Sequence, residues 1–337
     1  MKNIKIKDKI IGDERPVFIV AEAANNHGGD FEIAKQMIVE AANFGADAVK
    51  LQCLFLDEFA VKNHPYYEVY KKLEFSEEQW TEIRNLALER DILFFVDVLC
   101  PKAVELMERL KVDMIKIHCG DITNYELLKQ AAKTKIPLGL HTGYANLNEI
   151  KTAIDILKNN GCEDLIIMYG FQDYPTKMSQ LNLNALKKLK EMFDLNICFM
   201  DHTDGIIAPV LALGFGITML EKHFSLDRKA RRYDYESSID PPDFKKMIEI
   251  IRDCESAYGN GNFAPTKEEQ KHLPSVRKFI VAERNINAGE IINGAMIGVK
   301  RTGTVGLESS QIERIVGKKA IKDIVRDQTI TEEMVVR

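Results

Sequence analysis

The chain has 337 residues, a net charge of −5, and 45% hydrophobic and 29% charged residues. This composition is typical of a globular protein, and the lack of a basic excess excludes a surface built for nucleic acid. Charges interrupt the N-terminal segment MKNIKIKDKIIGDERP every few residues, so we expect no signal peptide, no membrane partner and a cytoplasmic location.

Eight short apolar runs recur along the chain, and each is followed by a longer stretch of helical period. The runs are VFIVAE (17–22), DAVKLQ (47–52), ILFFVD (92–97), DMIKIH (113–118), IPLGLH (136–141), DLIIMYG (164–170), NICFMD (196–201) and ITMLEKH (217–223). Unbroken apolar runs suit strands that are buried on both faces, and strand–helix alternation requires parallel pairing. Eight such units predict an α/β fold, the TIM (β/α)8 barrel.

The segment FEIAKQMIVEAANFG (31–45) is a representative crossover helix. Ile33 and Met37 fall on one face of the predicted helix, Asp30 is placed to cap its N-terminus, and Gly45 follows its last turn. We therefore expect a helix that begins after Asp30 and ends near Gly45.

The chain changes character after the barrel. The segment YGNGNFAPTKEEQKHLPS loses periodicity and is rich in Gly, Asn and Pro, which is typical of a linker. Beyond it, short β-prone pieces alternate with turn signals at NAGE and KRTGTVG. The sequence predicts a catalytic barrel over 1–258, a linker over 259–276 and a small β-rich domain over 277–337.

Polar side chains collect where the predicted strands end, which is the face that carries the active site in β/α barrels. Five of the seven histidines lie there. The strand-end residues are Glu22, Asn25, Asn26, His27, Lys50, Gln52, Asp97, Lys116, His118, His141, Gln172, Tyr174, Asp201, His202, Glu221 and His223. This clustering predicts a functional site at the carboxyl end of the barrel.

His202 and His223 end neighbouring predicted strands. Their imidazoles could share one divalent ion, with water or substrate completing the shell, or each could only hydrogen-bond a loop. The six cysteines stand singly without CxxC spacing, which predicts reduced thiols rather than a zinc knuckle or disulfides.

Lys50 and Lys116 lie inside otherwise apolar strands, where an unpaired ammonium is costly, so each should face an anion. That anion is either a substrate phosphate or carboxylate, or the side chain of Glu22 or Asp97. Glu22 itself could act as an acid or base, orient a substrate hydroxyl, or only position the lysine.

Several motifs resemble those of the sialic acid synthases: AEAANNHGGD (21–30), GADAVKLQ (45–52), YPT (174–176), DHT (201–203) and LEKHF (220–224). The segment VRKFIVAERNINAGEIINGAMIGVKRTGTVG (276–306) resembles their C-terminal antifreeze-like (SAF) domain. The resemblance runs along nearly the whole chain, and the pairing of barrel and small domain is more specific than either half.

The resemblance implies condensation of phosphoenolpyruvate with an N-acetylated hexosamine aldehyde, giving a nine-carbon 2-keto acid (a nonulosonate) and phosphate with help from Mn²⁺ or Mg²⁺. It also implies a head-to-tail, domain-swapped homodimer, in which Arg301 reaches the partner's barrel and holds the N-acetyl group. Carried over by position, the metal ligands are His202 and His223, the catalytic residues are Glu22, Lys50, Lys116 and Asp201, and the substrate-binding residues are Asn26, Gln52, Asp97, Cys119, Asp121, His141, Gln172, Tyr174, Asp234, Lys278 and Arg301.

Departures from the family pattern cluster at positions expected to hold the phosphate and carboxylate of the donor. The stretch Val96–Leu99 replaces a Ser-Thr-Pro-Phe type segment, and the other replacements are Cys119, Asp121, His141 and Gln172. The Asp97 carboxylate would repel a triply charged donor unless it is paired or protonated, whereas His118 and His141 as cations would attract one. Either the donor site is rebuilt or the donor differs.

Two further hypotheses follow from these departures. One is a metal-dependent aldolase or lyase that uses pyruvate or another keto acid in the same barrel. The other is a non-catalytic sugar-binding or regulatory relative, although decayed sites usually lose charged groups rather than exchange them.

Overall fold

The computed structural model describes residues 1–336; Arg337, the last residue of the predicted small domain, lies outside them. Two compact units divide the chain, one over Met1–Gly259 and one that starts at Asn260. In the first unit, a hairpin of β1 (Ile4–Ile6) and β2 (Lys9–Ile11) precedes a closed barrel of eight parallel strands. The barrel strands are β3 (Phe18–Ala24), β4 (Ala48–Cys53), β5 (Leu93–Val98), β6 (Met114–Ile117), β7 (Leu138–His141), β8 (Leu165–Tyr169), β9 (Asn196–Asp201) and β10 (Met219–His223).

Each predicted apolar run is a barrel strand, and the predicted TIM barrel is confirmed. The helices of this unit are α1 (Phe31–Asn43), α2 (Leu56–Phe59), α3 (Tyr67–Leu73), α4 (Glu77–Glu89), α5 (Pro101–Leu110), α6 (Tyr125–Lys133), α7 (Leu147–Asn159), α8 (Asn184–Phe193), α9 (Ile207–Ala212) and α10 (Pro241–Ala257). Asp30 caps α1 by accepting a hydrogen bond from the Ile33 amide, and Gly45 has a left-handed φ of 87° beyond its end.

Side chains of each barrel strand alternate between two cores. Outward side chains pack with the helices in the larger core, and inward ones fill the barrel. The inward core is Phe18, Val20, Ala48, Leu93, Phe95, Met114, Ile166, Met168, Cys198, Met200 and Met219, together with residues of the hairpin. Two residues further along five strands, the inward rows continue with Glu22, Lys50, Asp97, Lys116 and Glu221. The apolar barrel core therefore ends in a layer of ionisable groups at the carboxyl end.

The second unit contains α11 (Lys267–Val276) and an antiparallel pair of β11 (Lys278–Ala282) and β12 (Ile297–Arg301). The segment predicted as a linker thus holds a ten-residue helix, which is capped by a reciprocal box between Thr266 and Glu269. Pro274 inside this helix and its lack of buried residues explain why periodicity did not indicate it. In the described part of the chain, no helix is both long and apolar enough to cross a membrane.

Candidate active site

A buried cluster of two lysines and three carboxylates closes the barrel core. Lys50 Nζ lies 2.5 Å from Glu22 Oε2, 2.8 Å from Asp97 Oδ1 and 2.8 Å from Glu221 Oε2. Lys116 Nζ lies 3.0 Å from Asp97 Oδ2 and 3.1 Å from Glu221 Oε1. All five side chains are buried. Both lysines thus pair with carboxyl groups of the protein, and Asp97 bridges the two ammonium groups.

Burial and neighbouring charges shift the pKa values of Glu22 and Glu221 in opposite directions. Burial, opposed chiefly by Lys50, raises the pKa of Glu22 to about 8. Burial would also raise the pKa of Glu221, but Lys116 and Lys50 outweigh it and lower that pKa to about 2. Near neutral pH, Glu22 is therefore mostly protonated, whereas Glu221 is ionised and offsets part of the positive charge of the two lysines.

Glu22 should give the free energy of unfolding a pH dependence. Because its folded-state pKa is raised from 4.5 to about 8, the folded protein keeps a proton that the unfolded chain has released. Stability should therefore fall as the pH rises toward 8, by up to about 1.4 kcal/mol per pH unit. Urea denaturation from pH 7 to 8 should show this decline, and Glu22→Gln should flatten it. Equal slopes in the two proteins would contradict the raised pKa.

His202 and His223 face each other beside this cluster, with ring centroids 4.9 Å apart. Burial lowers the pKa of His202 to about 3 and that of His223 well below its usual range, so both imidazoles are neutral at physiological pH. His202 Nδ1 is hydrogen-bonded to the Phe171 carbonyl, which leaves Nε2 with a free lone pair. Two neutral, oriented imidazoles fit a divalent ion, whose remaining positions would go to water or substrate oxygens.

Tyr174 and Asp234 border the histidine pair. The Tyr174 ring stacks on His202 with centroids 4.3 Å apart, and Asp234 Oδ2 lies 4.0 Å from His223 Nδ1. Asp234 has a left-handed φ of 59°, and burial raises its pKa to about 6. The buried Asn26 donates to the Tyr233 carbonyl at 2.6 Å and so holds the loop that carries Asp234.

A third group consists of His118, Cys119 and His141, at the ends of β6 and β7. Burial lowers the pKa of His118 to about 4 and that of His141 well below its usual range, and it raises the pKa of the Cys119 thiol to about 11. Burial therefore disfavours the cationic form in which these two histidines would attract phosphate.

A cavity of about 500 Å³ opens beside this third group. Gln52 and Asp121 line it; Gln52 accepts from Asn25 at 2.7 Å, and Asp121 accepts from Asn124 at 2.9 Å. On the other side of the group, Tyr174 donates to Gln172 Oε1 at 3.1 Å, and Gln172 lies 3.4 Å from His141 Nδ1. Tyr174 and Asp234 line a separate cavity of about 340 Å³.

The NeuB family matches residues 37–263 of the chain, and the SAF domain matches residues 277–336. The chain belongs to the NeuB family. The resemblance to the sialic acid synthases is thereby confirmed, as is the combination of a barrel with a SAF domain.

Relatives match along nearly the whole chain. An uncharacterized protein of Methanocaldococcus jannaschii is 39% identical, and the match covers 98% of each chain. The N,N'-diacetyllegionaminic acid synthase of Legionella pneumophila is 33% identical over 95% of this chain and 94% of its own. The crystal structure of N-acetylneuraminic acid (sialic acid) synthetase from Leptospira borgpetersenii in complex with citrate superposes with a TM-score of 0.76 at 31% identity, covering 81% of this chain and 95% of that chain. The characterised relatives are synthases of nonulosonic acids.

Asp201, predicted as catalytic for this NeuB-family chain, lies apart from the charged cluster. It follows the inward Met200, so its side chain points to the helix side of the barrel, where Oδ2 lies 2.6 Å from Lys222 Nζ. Its other oxygen accepts from the Thr203 amide at 3.0 Å. Both members of the pair are fully buried. This geometry gives Asp201 a structural contact on the helix side of the barrel, and its catalytic role stays a prediction.

Replacing Asp201 by Ala should therefore lower stability. The change leaves the Lys222 ammonium buried without its counterion, which typically costs about 3–5 kcal/mol. Urea denaturation measures the loss, and the exposed pair of Lys271 and Glu268 provides a control, since Glu268→Ala should cost no more than about 0.5 kcal/mol. Similar small losses in both variants would contradict the structural role.

The remaining predicted residues, Lys278 and Arg301, belong to the SAF unit. They are exposed and lie opposite each other in the register of β11 and β12. Glu221 received no role from the sequence, although it lies in phase with Met219 on β10, inside an apolar run. A charge at an inward position was the same signal that singled out Lys50.

Proposed function

We propose that the protein is a nonulosonic acid synthase that condenses phosphoenolpyruvate with an N-acetylated hexosamine aldehyde. The observation that carries the proposal is the neutral pair of His202 and His223 beside the buried lysine cluster. The two groups are close enough for the charge of Lys116 to contribute to the low pKa of both histidines. Electrophile activation and anion binding, the two requirements of this reaction, thus lie side by side.

The acceptor would lie at the histidine pair. A Mn²⁺ or Mg²⁺ ion held by His202 and His223 would polarise the open-chain aldehyde. Tyr174 and Asp234 border this position and offer hydrogen bonds to sugar hydroxyls. The neutral imidazoles keep their lone pairs available over the physiological pH range.

The donor would lie over Lys50 and Lys116. The ion pairs at Lys50 Nζ are off-angle for hydrogen bonds, so this buried ammonium retains bonding capacity for a donor oxygen. In the reaction, C3 of the enol ester bonds to the aldehyde carbon, water adds at C2, and inorganic phosphate leaves to give the 2-keto acid. The two ammonium groups would stabilise the departing negative charge.

Glu22 would supply a proton in this site. Its pKa of about 8 keeps the acid form populated at neutral pH, and its Oε2 already contacts Lys50. A carboxyl group in this state can protonate the alkoxide that forms from the aldehyde.

Phosphate release tests the proposal. Purified, Mn²⁺-loaded protein is given phosphoenolpyruvate and a panel of N-acetylated hexosamines, with His202→Ala as the inactive control. Acceptor-dependent release that is lost in the variant supports the synthase function and identifies the sugar. Absence of release with every acceptor, from protein that still binds Mn²⁺, would overturn the choice of donor.

One observation favours a second candidate, a metal-dependent aldolase that takes pyruvate or a related keto acid. Asp97 bridges both lysines, so a carboxyl group occupies the place between the two ammonium groups where a phosphate would bind, and a singly charged keto acid would meet less repulsion there. The same panel assayed with pyruvate distinguishes the two, because the aldolase consumes pyruvate and sugar without forming phosphate.

We also propose a head-to-tail homodimer in which Arg301 of one chain completes the acceptor site of the other. Arg301 is exposed on β12 and is free of ion pairs among the described residues, so its guanidinium is available to a partner. Subunit mixing tests this: Arg301→Ala and His202→Ala proteins, each inactive alone, should regain activity when they are unfolded and refolded together. Mixtures that stay inactive would contradict the composite site.

A further inference from the structure

We propose that His118, Cys119 and His141 form a second metal site, suited to a transition ion such as Zn²⁺ and separate from the pair of His202 and His223. One ligand atom from each of the three residues can be chosen so that all lie within 4.8 Å of one another. This site goes beyond the proposed function, although the resemblance places Cys119 and His141 at positions that would hold donor oxygens, so a bound ion would lie beside the donor.

Cys119 and His118 have nearly the spacing of two ligands in a zinc shell, and His141 would complete the set with a small adjustment within the 4.8 Å limit. Ligand atoms 2.0–2.3 Å from a tetrahedral ion lie about 3.3–3.8 Å apart, and Cys119 Sγ lies 3.8 Å and 3.9 Å from the two ring nitrogens of His118. His118 Nδ1 accepts from the Gly120 amide at 3.2 Å, so Nε2 is the nitrogen of this half-buried ring that is left for the ion. Three protein ligands leave a fourth position for water or a substrate oxygen.

A buried nitrogen without a partner points into this site. His141 is 1% exposed, yet its Nε2 has no hydrogen-bond partner among the described residues, and an unsatisfied buried group of this kind is costly. A metal ion would satisfy it. The lack of a side chain at Gly143 keeps this approach open, because a Cβ there would lie 2.8 Å from Nε2 and 3.4 Å from the Cβ of Cys119.

The opposite nitrogen of His141 is already supported. Nδ1 lies 3.4 Å from the Gln172 amide, whose other atom meets the Tyr174 hydroxyl at 3.1 Å. In the structure the amide nitrogen faces Nδ1 and the amide oxygen accepts from Tyr174. Metal binding at Nε2 requires the amide to turn so that its oxygen accepts from Nδ1–H, which leaves the free lone pair on Nε2, as outer hydrogen bonds do for metal-bound histidines. Tyr174 in turn stacks on His202, so the second site adjoins the first.

The donor set selects the class of ion. Two imidazoles and a thiolate favour Zn²⁺ or a similar borderline ion, whereas Mn²⁺ and Mg²⁺ prefer oxygen. An anion such as phosphate is a poorer occupant, because a neutral imidazole carries no positive charge and a thiolate is negatively charged. We therefore expect the two sites to differ in metal preference.

Cobalt is the probe, because a thiolate bound to Co²⁺ gives a ligand-to-metal charge-transfer band in the near ultraviolet. We expect two Co²⁺ ions for each wild-type chain and a thiolate band. Cys119→Ser and His141→Gln should each lose the band and one ion. His202→Ala should lose one ion but keep the band, and Cys254→Ser, at a half-buried cysteine of α10, should keep both.

Two results would overturn the second site: a wild-type protein that binds Co²⁺ without a thiolate band, or a band that survives in both Cys119→Ser and His141→Gln. Two variants are used so that the test remains valid if one of them does not fold. Since the readout is binding without turnover, a failure of the synthase proposal leaves this test unaffected.

Discussion

Replacement of His202 by Ala is expected to lower turnover by about 10³-fold, since loss of an ion that polarises the aldehyde removes several kcal/mol of transition-state stabilisation. The variant loses a neutral ligand and a buried hydrogen bond to the Phe171 carbonyl. That bond contributes only about 1–3 kcal/mol to stability, so the protein should remain folded. Steady-state kinetics at saturating Mn²⁺, combined with urea denaturation, separates the two effects.

The matched control is His272→Ala, at an exposed histidine of α11, which should leave turnover unchanged. An excess of Mn²⁺ should not restore His202→Ala if the residue is a direct ligand. If a folded His202→Ala protein kept its turnover within about twofold of the wild type, the loss of transition-state stabilisation would be far smaller than the several kcal/mol expected. That result would contradict a role of the histidine pair in the reaction.

Replacement of Lys50 by Met is expected to lower the free energy of unfolding by about 3–5 kcal/mol, a large share of a typical domain's stability. The side chain of Lys50 contacts three buried carboxyl groups, those of Glu22, Asp97 and Glu221. Without it, only Lys116 remains to neutralise Asp97 and Glu221. Urea denaturation at pH 7 measures the loss.

A second change should recover part of that loss. In Lys50→Met/Asp97→Asn, the carboxylate left without one of its two cations is replaced by a neutral amide, so the double variant should be more stable than Lys50→Met alone. Lys271→Met, at an exposed ion pair, is the control and should change stability by no more than about 0.5 kcal/mol. Additive losses in the double variant would contradict the coupled cluster.

Much of the barrel could be predicted from the sequence because its strands are buried on both faces. Continuous apolar runs carry this signal directly, and the helix after Asp30 carries its own start and stop residues. The helix of Lys267–Val276 could not be predicted in this way, because it buries none of its residues and contains Pro274. Its capping box was the available signal.

The site was predictable where charge interrupts a buried strand. Lys50 and Lys116 had to face anions, and Asp97 meets both. The surroundings of Asp201 could not be predicted from its strand-end position alone, because that position does not identify the face: Asp201 directly follows the inward Met200 and so points outward to Lys222.

The group of His118, Cys119 and His141 depends on tertiary structure. His118 and Cys119 follow β6 and His141 ends β7, and the pairing of these two strands in the barrel brings the three side chains together. Their burial, which keeps both histidines neutral, is likewise a property of the fold. Neither the proximity nor the burial of these three residues can be predicted from their spacing in the sequence.

The central claim is that the barrel joins three carbons of phosphoenolpyruvate to an amino sugar, and mass spectrometry of the product tests it most directly. Protein loaded with Mn²⁺ is incubated with uniformly ¹³C-labelled phosphoenolpyruvate and the acceptor that gives phosphate release. We predict a 2-keto acid that carries all three labelled carbons, formed in equal amount to phosphate and absent with His202→Ala. Phosphate together with labelled pyruvate and unchanged sugar would contradict the claim.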